Sequence, residues 1–74
     1  MYQVNQIVHM NLNSRDKVKE LAFARLFTNS LLERRQAITE MRKLAIKETN
    51  KKHKAEIMKT ITRLLNIDGV YRGS

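Results

Sequence analysis

Between Asn13 and Asn66 the chain contains neither proline nor glycine. No residue in that stretch removes a backbone donor or has glycine's freedom to adopt left-handed backbone. Leu, Ala, Arg, Lys, Glu and Met dominate it, all good helix formers. Helix is therefore the default, and its boundaries have to be read from capping residues and from shifts of apolar phase.

Asn13 and Ser14 are both suitable N-caps, and Asp16 complements the dipole of a first turn. Val18, Leu21, Ala22 and Leu26 then recur on one helical face, with Phe23 and Phe27 extending it sideways. Thr28, Asn29 and Ser30 are poor helix formers, and Ser30-Leu31-Leu32-Glu33 fits a capping box. These signals predict one helix over about 14–28 and a second over about 31–48. The second carries Leu31, Ile38, Met41 and Ala45 on one face, with Leu44 beside them. Ile57, Met58, Ile61, Leu64 and Leu65 form the stripe of a third, over about 51–66. At about 100° per residue, the stripes of the second and third helices lie roughly 160° apart if joined as one rod. A break around Glu48-Thr49-Asn50 is the simpler solution, with Thr49 or Asn50 as the cap. Lys51-Lys52-His53-Lys54 then falls in a first turn, where cations oppose the helix dipole unless an anion binds. Gly69 is placed to end this helix, leaving 67–74 as a tail.

The first twelve residues follow a different rhythm. Tyr2, Val4, Val8, Met10 and Leu12 share one parity, with Gln6 the only polar intruder. Gln3, Asn5, His9 and Asn11 share the other, with Ile7 the only apolar one. A period of two predicts a strand over 2–12 with one apolar face and one amide-rich face. A lone strand leaves its backbone N–H and C=O groups unpaired, so its partner has to be the same strand of a second copy. Size points the same way. A chain of 74 residues buries too little surface to be comfortably stable alone. With no cysteine it has no disulfide or thiolate site, and His9 and His53 stand apart with no carboxylate cluster that would hold a metal. Oligomerisation remains. The expected fold is mainly α with one N-terminal β-strand, built as a dimer; the alternative is an all-α three-helix bundle.

Strand, helix, helix is also the order of the ribbon-helix-helix DNA-binding repressors of the Arc/Mnt type, which residues 8–42 resemble. His9-Met10-Asn11-Leu12-Asn13 is similar to that family's strand, Val18 and Leu21 fall at its apolar first-helix positions, and Asn29-Ser30 at its inter-helix turn. The resemblance implies a two-stranded ribbon inserted in the major groove. Gln3, Asn5, His9 and Asn11 would then meet base edges, Asn and Gln being suited to adenine. Val8, Met10 and Leu12, with Leu21, Ile38 and Met41, would form the dimer core. The backbone at Ser30 would meet a phosphate at the start of the second helix.

Charge supports a polyanionic partner. Fifteen Lys and Arg face seven Asp and Glu, a formal +8 with pI near 10.3, and every basic residue lies from Arg15 onward. Arg15, Lys17, Arg34 and Arg35 are candidate phosphate contacts, as are Lys51, Lys52 and Lys54 on the third helix. The expected function is a sequence-specific, DNA-binding transcriptional regulator acting as a repressor on duplex DNA. Alternatives are a helical phage- or plasmid-type protein that binds an acidic surface of host machinery, and an RNA-binding helical module using Arg42 to Lys59. No paired carboxylates, Ser/His/Asp spacing or glycine-rich phosphate loop suggests an enzyme, and Ser14 and Ser30 read as caps. No cofactor or metal is expected. No apolar run reaches the ~20 residues of a membrane span, and the first residues lack the pattern of a secretion signal. A cytoplasmic or nucleoid-associated location is expected.

Overall fold

A computed structural model describes the backbone of residues 2–73 and the side chains of residues 2–67. Four helices follow one another: α1 (Val4–Val8), α2 (Ser14–Phe27), α3 (Leu31–Lys47) and α4 (Lys51–Gly73). Among the described residues there is no strand.

Each of the three longer helices starts on the residue type its sequence calls for. Asn13 accepts a hydrogen bond from the N–H of Asp16, and Ser30 accepts from that of Glu33. Asn50 accepts from those of Lys52 and His53. The junctions 28–30 and 48–50 are short, and the caps Thr28, Ser30 and Glu48 hold extended backbone. Two contacts fix how the helices run. The guanidinium of Arg25 donates to the carbonyl of Arg34 near one junction, and Ser14 Oγ donates to Glu48 Oε2, 3.0 Å away, at the far end. α2 and α3 are therefore an antiparallel hairpin. Arg15 reaches Glu56 at 3.7 Å, which lays the start of α4 beside the start of α2. α3 touches each of the other three helices, whereas α1 and α4 do not touch each other.

The core gathers Val4 and Ile7 from α1, Val18, Leu21 and Ala24 from α2, Ala37, Ile38, Met41 and Ala45 from α3, and Ile57, Ile61 and Leu64 from α4. Ala24 of α2 and Ala37 of α3 are both buried. Buried small residues leave room for close helix packing, and the large apolar residues of the α2 C-terminal half face outward instead. Leu26, expected inside, is half-exposed, while Arg25 is buried with its head group on the Arg34 carbonyl. Met58 and Leu65 are likewise exposed at the flanks of the α4 stripe, and Leu31 at the start of α3.

The N-terminal strand, and with it the β-ribbon, is absent; an all-α bundle fits, with a short fourth helix added. The two residues that broke the parity explain why. Val4, Ile7 and Val8 have i, i+3, i+4 spacing, and Val4 and Ile7 are both buried. Gln6, the polar intruder, accepts the N–H of Gln3 at 2.9 Å to close the helix start. A helical turn satisfies its own backbone, where a lone strand cannot. The N–H of Val4 donates to Glu33 Oε2, and Lys17 Nζ donates to the carbonyl of Val8, so both ends of α1 are tied to the hairpin. Val8 and Met10 pack against the core of their own chain, and Leu12 lies in the exposed link that follows. Leu21, Ile38 and Met41 are buried within the chain rather than between two copies. α4 continues past Gly69, through the residues expected to form a tail.

Candidate nucleic-acid interface

Antiparallel packing sorts the surface into two unlike ends. One end collects the start of α2, the end of α3 and the start of α4. It carries Arg15, Lys17, Lys43, Lys47, Lys51, Lys52 and Lys54. The other end, at the 28–30 junction, carries Phe23, Leu26, Phe27, Leu31 and Leu32, all exposed.

At the basic end several carboxylates are already engaged. Glu40 pairs with Lys43 at 3.2 Å, and Glu56 with Arg15. Glu48, half-buried at the C-cap of α3, accepts from Ser14 Oγ and from the N–H of Asn50. The Asn50 N–H and then the Ser14 hydroxyl hold the Glu48 carboxyl below its ordinary value of 4.5, with the His53 ring adding to the effect. A depressed folded-state pKa stabilises the fold above the unfolded value, and that contribution disappears as pH falls through the folded one. The stability gap between wild type and Glu48→Ala should therefore be widest at neutral pH and close in acid. Thermal melts of both proteins at several pH values check this; a gap that widens in acid contradicts the sign.

That leaves Lys47, Lys51, Lys52 and Lys54, all exposed. Among the described residues none has a carboxylate within ion-pair distance. Lys17 is half-buried and committed to Val8. Beside them a groove of about 250 Å³ runs between α2 and α4, lined by Ser14, Arg15, Val18, Lys19, His53, Glu56, Ile57 and Thr60. Three His, Asp or Glu side chains converge nowhere among the described residues as a metal would need. No helix there is long and apolar enough to cross a membrane.

The structure brings together only part of the expected contact set. Arg15 and Lys17 share the basic end with Lys51, Lys52 and Lys54. Ser30, Arg34 and Arg35 sit at the opposite end: Ser30 caps α3, and Arg34 is half-buried with its Nε lacking a hydrogen-bond partner among the described residues. Gln3, Asn5, His9 and Asn11 are exposed but lie on no ribbon, because α1 and the link after it turn them in different directions. Lys43 and Lys47 are expected only as part of the Arg42 to Lys59 stretch of the RNA-binding alternative and not as individual phosphate contacts; adjacency to the 48–50 break is the signal that points to them.

No protein-family model, no curated protein and no solved structure matches the chain.

Proposed function

We propose that this chain binds duplex DNA by its phosphate backbone, gripping it with the lysine-bearing end formed around the α3–α4 junction. The observation that carries the reading is the group of exposed lysines there, Lys47, Lys51, Lys52 and Lys54, without carboxylate partners among the described residues, in a chain of net charge +8. Lysines of this kind neutralise phosphates and release counterions, which supplies affinity without sequence information. Single strands, by contrast, are usually held by aromatic side chains on which bases stack. Among the described side chains the Tyr and Phe rings, Tyr2, Phe23 and Phe27, all lie away from the lysines, and this favours a duplex over an RNA loop or single strand. Base reading and repression depended on the ribbon, and neither is carried forward.

Titration of mixed-sequence duplex DNA at several salt concentrations tests the proposal. Wild type should bind with a log–log salt slope of about −0.9 per phosphate contact. The triple variant Lys51→Glu, Lys52→Glu, Lys54→Glu should bind at least ~30-fold more weakly with a flatter slope, keeping its helical circular dichroism. Absence of wild-type binding at low salt sinks the proposal. A clear preference for single-stranded RNA of equal length would move the partner to RNA.

A further inference from the structure

The apolar end is left over by that reading, and its composition is unusual for a surface so rich in charge elsewhere. Phe23, Leu26 and Phe27 have i, i+3, i+4 spacing on the outer face of α2, and their two rings stack with centroids 6.5 Å apart. Leu31 and Leu32 begin α3 just beyond the three-residue junction. Phe27 is 64% exposed and Leu32 65%. With aromatic side chains worth ~150–250 Å² each, these five leave on the order of 500 Å² of apolar surface in water, at the upper end of what monomers tolerate.

We propose that this end is a self-association surface, on which a second copy of the chain docks through the same five residues. Three observations favour a second copy. First, the unpaired lysines and the patch lie toward opposite ends of α2, whose 14 residues span about 21 Å, so docking through the patch holds the two lysine groups more than a Debye length apart. The repulsion between the two lysine groups is thereby screened. Second, a short apolar stripe at i, i+3, i+4 complements itself about a two-fold axis, each ring pair meeting the leucines of its partner. Third, two such patches bury roughly 1,000 Å² in total, the lower limit of specific interfaces and the size of a weak, micromolar dimer. A protein partner with a strongly acidic surface would find mainly Arg35 exposed here. An anionic membrane would call for a cluster of flanking cations, whereas the group of exposed, unpaired lysines is at the other end.

Sedimentation equilibrium between about 5 and 500 μM reads the association directly. The wild-type mass should climb from 8.7 kDa toward twice that value and stop there. Phe27→Asp should weaken association at least ~tenfold while helical circular dichroism stays unchanged. Because the chain has no cysteine, Leu26→Cys should oxidise to a cross-linked dimer, whereas Lys52→Cys at the lysine end should not. If Phe27→Asp loses its helicity, the two cysteine variants decide between the ends. A wild type that stays at 8.7 kDa throughout would assign the patch to some other partner and overturn the proposal. Growth beyond two copies, or equal cross-linking from both ends, would overturn it as well. None of these readouts depends on DNA, so this inference and the DNA-binding proposal can fail separately.

Discussion

Ile7→Ala should cost the fold about 2–5 kcal/mol, read as a lower urea midpoint by far-ultraviolet circular dichroism. Ile7 is 0% exposed and fills the space between α1 and the hairpin, so truncation removes transfer energy and leaves a cavity. Leu12→Lys should shift the midpoint by no more than ~0.5 kcal/mol, because Leu12 is 36% exposed in the link after α1. A β-ribbon demands the reverse order: Ile7 would sit on the outer face and Leu12 in the dimer core. The pair of variants therefore distinguishes a docked helix from a strand without further structural work. A severe Leu12→Lys beside a silent Ile7→Ala would restore the ribbon.

Met41→Ala is expected to lower stability by a similar ~2–5 kcal/mol, with a fall in melting temperature of roughly 10–25 °C. Met41 is fully enclosed near the middle of α3, which like α2 touches all the other helices. A cavity there loosens more than one interface. Chains of this length hold only ~4–11 kcal/mol of folding stability, so the loss is a large fraction of the whole. Met41→Leu preserves volume and should cost less than ~1.5 kcal/mol. Thermal melts of the two variants check both values. Equal, small shifts would mean that the core is not centred on α3.

Much of this architecture was legible in local chemistry. Asn13, Ser30 and Asn50 announce helix starts because each offers a side-chain acceptor where backbone N–H groups lack partners. The offset between the stripes of Met41 and Ile57 announces the 48–50 junction. Residues 2–12 were misread because five apolar residues on one parity outweighed two exceptions, and in so short a segment the exceptions were the helical signal. Only the tertiary contact of Val4 and Ile7 with the hairpin decides between the two periods. The outward turn of Phe23, Leu26 and Phe27 was hidden for a related reason. Periodicity locates a stripe, but tertiary packing decides which flank of it is buried: Leu21 and Ala24 lie inside, Phe23 and Leu26 outside. The basic end depends on which helix ends meet, and that follows from the antiparallel topology rather than from spacing along the chain.

The junctions of this fold have a consequence for the unfolded chain. Among the described residues none adopts positive φ, and no turn between helices contains glycine. Thr28, Ser30 and Glu48 make the corners with ordinary extended backbone, and their side chains and that of Asn50 add hydrogen bonds. Side chains bearing a β-carbon narrow the conformations open to these segments before folding begins, so less disorder has to be surrendered when they close. Part of what lets so small a set of core residues hold four helices together thus resides in the restricted freedom of the denatured state.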